Sequence, residues 1–227
     1  MKSLHLLLLL LFTGVISLAK EIKIVAVPST AKIYIDGAYV GDGIISTTIR
    51  KKDDFIAIKI ENAGFVTLQT KVYFKDKRNA YEFTLKKDDF YDSSTESANA
   101  NKFFNVNVSD KYIEAAKDEK GASLLVWKMI HQILLNYYSE IATSDMLSGF
   151  VQTPWSKTSF GEANTQVRTR VTVKESNLGG KLTYSIKIES QQAPLSSNRE
   201  ESFINTDRVL KQYEQLIPEF QSRIGSL

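Results

Sequence analysis

Between Ile22 and Leu85, apolar and polar residues alternate with a period of two, the pattern of short strands half-turned to water. The runs IKIVAV, IYI, AYV, FIAIKI, FVTLQTKVYF and AYEFTL are punctuated by turn residues at Pro28-Ser29, Asp36-Gly37, Gly41-Asp42-Gly43, Asp53-Asp54, Asn62-Ala63-Gly64 and Asp76-Lys77-Arg78-Asn79. About six or seven strands in so short a stretch predict a small antiparallel sandwich. The Asp36-Gly37 step has the chemistry of a two-residue type I′ turn. Both central positions need positive φ, which Asp tolerates and Gly adopts without steric cost. With that turn, Tyr34 lies opposite Tyr39 on one face. Ile33, Ile35, Ala38 and Val40 share the other face and are expected in the core.

Past residue 102 the period changes. From Ala122 to Ala142 a stripe of Val126, Ile130, Ile133, Tyr137 and Ile141, widened by Trp127, Leu134 and Tyr138, predicts a helix with a broad apolar face. The run QVRTRVTVK then sets Val167, Thr169, Val171 and Val173 against Arg168, Arg170, Thr172 and Lys174. After an Asn177-Leu178-Gly179-Gly180 turn, KLTYSIKIE puts Leu182, Tyr184, Ile186 and Ile188 on one face. A sheet apolar on one side and solvated on the other is expected. A last helix is predicted from Asn205 or Thr206, carrying Val209, Tyr213, Leu216, Phe220 and Ile224 on one side. Pro218 inside it predicts a kink or break near Ile217. Helix, antiparallel strands and helix in that order define an α+β unit with helices packed on a sheet.

Two segments follow neither period. Residues 1–19 combine Lys2, the apolar run Leu6 to Phe12 and Ser17-Leu18-Ala19, the anatomy of a secretory signal peptide cut after Ala19. An uncleaved anchor is the alternative. Asp88 to Asn101, DDFYDSSTESANAN, holds four acids and no bases among small polar residues, a composition that predicts a solvated tether. The expected organisation is a leader at 1–19, a β-domain at 20–87, an acidic Ser/Asn-rich linker at 88–102 and an α+β domain at 103–227. Charge changes across it: Lys20 to Lys87 has 13 basic against 8 acidic residues, and the segment after it is purely acidic. Without the leader the chain is nearly neutral, which argues against a nucleic-acid partner. It has no cysteine, so neither disulfides nor a thiol-linked lipid anchor are available to it. The expected location is extracytoplasmic, periplasmic or at the cell surface, not membrane-spanning once the leader is cut, with peripheral association open.

The stretch VPSTAKIYIDGAYVGDG, continued by ENAGFVTLQTKVYF, resembles the PEGA domain, a small extracytoplasmic β-module. Pro28, Ala31, Asp36-Gly37, Gly41 and Gly64-Phe65 match that family's pattern. Ser29-Thr30 replaces its central Glu-Gly, Phe65 stands where Tyr is usual, and no Pro follows Gly43. The resemblance covers about sixty-five residues. It implies an envelope module with a binding or scaffolding role, and no catalytic residue comes with it.

Candidate chemistry is sparse. His131 has no Cys, Asp or Glu three or four residues away, so a triad would need its carboxylate and nucleophile from elsewhere. Cysteine or multi-histidine metal sites are excluded by count, and no cofactor is expected. Adjacent acids such as Asp53-Asp54 suit turns better than an acid–base pair. The candidate ligand-binding residues are Tyr34 and Tyr39, a platform for sugar rings or a shielding aromatic pair, and Trp155. With them stand Arg168, Arg170, Lys174 and Lys187, on the polar side of the second hairpin. That face reads either as a docking surface for an acidic partner or as an ordinary solvated strand face. The expected function is a non-catalytic binding or scaffolding role towards envelope proteins, glycans or anionic polymers. The alternative is an envelope hydrolase whose α+β unit is catalytic and whose PEGA-like module is an accessory.

Overall fold

The computed structural model describes residues 19–116, 118–176 and 180–225. The leader, except for Ala19, and most of the Asn177–Gly180 turn lie outside the described residues. The described chain is rich in β-structure, with several sheets and a few helices, and separates into two compact units after Lys87. None of its helices is long and apolar enough to cross a membrane.

The first unit contains β1 (Ala19–Val27), β2 (Lys32–Ile35), β3 (Ala38–Asp42), β4 (Ile44–Arg50), β5 (Phe55–Glu61), β6 (Leu68–Tyr73) and β7 (Ala80–Thr84). They form a three-stranded sheet in the order β4-β1-β7 and a four-stranded sheet in the order β3-β2-β5-β6. Ile22, Ile24 and Ile49 from one sheet join Ile33, Ile56, Ile58, Ile60 and Val72 from the other in a single buried cluster. Strict alternation explains this: on β5 the three isoleucines are buried while Phe55, Ala57, Lys59 and Glu61 face out. The unit is not purely antiparallel, because β1 pairs in parallel with β7, the first strand with the last.

The Asp36-Gly37 turn has positive φ at both residues, 50° and 85°, as type I′ requires. The core quartet is overturned beyond it. The register slips between Ile33 and Tyr34, so Ile33 pairs with Gly41 rather than Val40. The extra residue of the bulge turns Val40 outward, 44% exposed, and leaves Ala38 exposed and Ile35 half-buried. Only Ile33 of the four is fully buried.

The second unit opens with α1 (Asp89–Ser93), β8 (Ser94–Glu96), β9 (Phe103–Asn107), α2 (Asp110–Ala116) and α3 (Glu119–Tyr137). It continues with β10 (Thr143–Asp145), β11 (Phe150–Gln152), β12 (Ser156–Phe160), β13 (Thr165–Glu175) and β14 (Thr183–Pro194). It ends with β15 (Ile204–Asn205), β16 (Arg208–Leu210) and α4 (Leu216–Ile224). The long β13–β14 hairpin is the spine of a seven-stranded sheet that β9, β10, β11, β12 and β15 extend. Val126, Ile130, Ile133 and Leu134 of α3 bury their side chains with Val167, Val171, Val173, Tyr184, Ile186 and Ile188 of the hairpin.

Three expectations are corrected here. The acidic segment is not a solvated tether but part of this core. Phe90 packs on Phe160 with ring centroids 5.3 Å apart, and β8 pairs with β16. Asn101 is its pin: the side-chain amide donates to the Ser190 and Thr206 carbonyls at 3.1 and 2.7 Å, and its oxygen accepts from the Ser190 N–H at 3.1 Å. The acids serve as local acceptors, Asp88 for the Tyr91 N–H and Asp89 for those of Glu162 and Ala163. The last helix is also shorter than predicted. Val209 belongs to β16, Tyr213 to a 3-10 turn, and only Leu216–Ile224 is α-helical. Pro218 is the third residue of α4, where its missing N–H would have no intrahelical partner, so no kink is required. Finally, the sheet is not half-solvated at its long strand β13. From Val167 to Val173 only Arg170 is less than buried, so both faces of β13 are covered.

Candidate functional site

The residues singled out from the sequence fall on two faces, one in each unit. In the second unit Arg168 and Arg170 project from β13 away from Val167, Val171 and Val173, as alternation dictates. Trp155, in the loop before β12, is contacted by both guanidiniums, at 4.4 Å for Arg168 and 4.3 Å for Arg170. Phe203 meets Arg168 at 4.1 Å. Phe203, Arg168, Trp155 and Arg170 therefore follow one another as ring, cation, ring, cation. Arg168 is only 6% exposed, donates its Nε–H to Gln191 at 2.9 Å and pairs with Glu200. Arg170 donates to Glu189 at 2.7 Å, and Lys187 reaches the same carboxylate at 3.2 Å. Burial raises the Glu189 carboxyl, but the hydrogen bonds and charges of Arg170 and Lys187 outweigh it and hold the group below its ordinary value.

Lys174 and Lys187 meet elsewhere on this face, around the half-exposed ring of Phe103, at 4.2 and 5.7 Å. The structure thus assembles Trp155 with Arg168 and Arg170, and Lys174 with Lys187. It does not present the arginines as an open cationic surface. Each has a carboxylate and a ring, and Arg168 is a buried fastener between the hairpin and the Phe203 segment. Phe203, Glu200 and Phe103 had no sequence signal, since their contacts cross from distant parts of the chain.

In the first unit the exposed side of β3-β2-β5-β6 carries a second arrangement. Tyr34 and Tyr39 form an edge-to-face pair 5.6 Å apart, as the turn predicts. Further along β5, Phe55 and Tyr73 form a tilted pair at 5.6 Å. Lysines stand over the rings: Lys59 over Tyr34 at 4.9 Å, Lys71 over Phe55 at 4.1 Å and Lys75 over Tyr73 at 5.5 Å. Ala57 lies between the two aromatic pairs, directly opposite Lys71, and its small side chain leaves a depression of about 330 Å³. The Tyr39 hydroxyl donates to Asp42 at 3.0 Å, and Lys59 bridges to Glu61 at 2.6 Å. Glu61 is lowered first by the hydrogen bond from Lys59 and then by that from Tyr34, whose own hydroxyl is raised in turn. Phe55, Tyr73, Lys59 and Lys71 escaped the sequence reading, although the outward positions of FIAIKI and TKVYF contain them.

His131 sits on α3 with Nε2 2.8 Å from the Ser144 hydroxyl and Nδ1 2.9 Å from the Trp127 carbonyl. The carbonyl only accepts, so Nδ1 carries a proton, and in the neutral ring Nε2 accepts from Ser144. Among the described residues, no group of three or more His, Cys, Asp or Glu side chains gathers where a metal would sit.

Each unit thus carries a face of rings interleaved with cations. The first unit is a PEGA domain: residues 19–89 match that family. No curated protein sequence matches the chain. Among solved structures it is similar to a protein of unknown function from Bacteroides fragilis NCTC 9343 described as membrane-associated. The two share 9% identity over 77% of this chain and 96% of that one, with a TM-score of 0.27.

Proposed function

We propose that this is an exported protein of the cell envelope whose task is to hold a glycan or protein of that envelope, without chemistry of its own. In this reading the leader-like residues 1–19 are removed. The two sheets of the first unit are the halves of a small β-sandwich, and the second unit is an α+β body with helices on its antiparallel sheet. The observation that carries the proposal is the outer face of β3-β2-β5-β6. Its paired rings, flanking lysines and shallow floor at Ala57 are the parts of a flat binding surface. The PEGA match supports the envelope setting and supplies no reaction. Retention of the full chain on isolated envelope material tests it. Wild type should be retained and the Tyr34→Ala, Tyr39→Ala double variant should wash through while keeping its fold. Equal retention of the two sinks the proposal.

A second reading, hydrolysis by the second unit, has one observation in its favour, the Ser144–His131 contact with the imidazole oriented by a carbonyl. A fluorophosphonate probe decides it: adduct formation at Ser144 that is lost in His131→Ala supports an enzyme, and an unmodified Ser144 removes the case.

A further inference from the structure

The exposed face of the first unit is polarised along its length. At the Tyr34/Tyr39 end the neighbours of the rings are carboxylates: Asp42 takes the Tyr39 hydroxyl, and Glu61 faces Tyr34 while neutralising Lys59. Carboxylates beside flat rings suit neutral sugars, whose C–H faces stack on the ring while their hydroxyls donate to the remaining lone pairs. At the Phe55/Tyr73 end the neighbours are Lys71 and Lys75, and among the described residues neither has a carboxylate partner. An ammonium group held over a ring with its charge otherwise unmatched is a ready contact for an anion. Tyr34 stands opposite Lys59, and Phe55 is four residues further along β5. At about 3.4 Å per residue, the two ends lie roughly 14 Å apart. A single ring cannot touch both, whereas a linear chain of rings crossing the Ala57 depression can.

We propose that this face binds an acidic saccharide, its neutral rings on Tyr34 and Tyr39 and its carboxylate or phosphate groups at Lys71 and Lys75. The inference rests on reading the face as a binding surface and adds the chemical class of the ligand. Single-stranded nucleic acid also stacks on rings beside lysines. It carries a phosphate at every step, however, and Asp42 and Glu61 repel phosphate at the tyrosine end. A saccharide charged at intervals meets no such conflict.

The test is titration of the full chain with hyaluronate, in which neutral and acidic rings alternate, its fully methyl-esterified form and an oligo(dT) of similar length. The acidic polymer should bind more tightly than the ester, and its binding should weaken from 50 to 300 mM NaCl while that of the ester does not. Lys71→Gln with Lys75→Gln should lower affinity for the acidic form on the order of tenfold and leave the ester unchanged. Tyr39→Ala should weaken both forms. If the lysine variant and the salt series leave acidic binding unchanged, or if oligo(dT) is preferred, the acidic-saccharide assignment is overturned while the face remains a binding surface. If wild type binds neither saccharide yet is still retained on envelope material through Tyr34 and Tyr39, the assignment fails and the broader function stands.

Discussion

Arg168→Leu removes a guanidinium gripped from several sides, and its consequence can be worked from the contacts. Two ring faces, Trp155 at 4.4 Å and Phe203 at 4.1 Å, are lost. Each contributes about 0.5–2 kcal/mol, towards the upper end when the cation is desolvated, as here. The hydrogen bond to Gln191 at 2.9 Å adds about 1.5–3 kcal/mol, because its donor is charged. Against this, Leu keeps some apolar contact, and the desolvation penalty of the buried charge disappears. Glu200, whose side chain is 73% exposed, returns to water without being stranded. The net expectation is a loss of about 2–4 kcal/mol from the second unit. In urea, with a slope of about 2 kcal/mol per molar, the midpoint should fall by roughly 1–2 M. Both tryptophans of the chain, Trp127 and Trp155, lie in this unit, so fluorescence follows its unfolding and is blind to the other. A loss below about 0.5 kcal/mol, the range of ordinary surface substitutions, would refute the fastener and restore an open basic face. A cycle with Trp155→Ala should show coupling of about 1 kcal/mol or more.

Other outcomes follow from the same geometry. Gly43→Ala should cost the first unit at least about 2 kcal/mol, since φ is 65° and the new Cβ would meet the Ser29 carbonyl oxygen at 2.3 Å. Gly37→Ala, with φ 85° but open space around it, should cost only about 1 kcal/mol, and thermal denaturation followed by circular dichroism separates the two. Asn101→Ala loses three hydrogen bonds and leaves at φ 60° a residue that tolerates the left-handed region less well than Asn, so it should destabilise the second unit by about 2–4 kcal/mol. Asn101→Gly removes the same bonds but keeps the backbone at ease, and its urea midpoint should lie above that of the alanine variant. Glu189 is depressed in the folded state, so its contribution is full above the ordinary carboxylate pKa of 4.5 and is lost as pH falls through the lowered one. Glu189→Gln should therefore be less stable than wild type at pH 7 and show a flatter acid limb below pH 4.5, measured by urea unfolding across that range.

Local chemistry was readable from the sequence, and long-range pairing was not. The Asp36-Gly37 turn, the Tyr34–Tyr39 pair and the buried stripe of α3 each depend on neighbours within a few residues. The bulge that expels Val40 depends on how β3 leaves β2, which alternation alone does not encode. The parallel pairing of β1 with β7 joins strands more than fifty residues apart, and nothing in either run announces it. Composition misled at 88–102, where Asp88 and Asp89 are caps and acceptors rather than solvated charges. Val209 keeps helical spacing with Tyr213 and Leu216, yet pairing with Thr95 makes it a strand. The basic face is legible in the sequence but its pairing is not, because Phe203 and Glu200, which cover Arg168, lie more than thirty residues away.

The pairing of β8 with β16 sets an order of events for a polypeptide that emerges amino end first. All the strands of the PEGA unit are out once Thr84 has appeared, so it can close early. Ser94, by contrast, must wait for Arg208, which donates its Nε–H to the Ser94 hydroxyl oxygen from 114 residues further on. At the usual pace of synthesis that delay is on the order of ten seconds. Throughout it β8 lacks its partner strand and stays open to any holding chaperone, which makes the carboxyl end the timer for closing the second body.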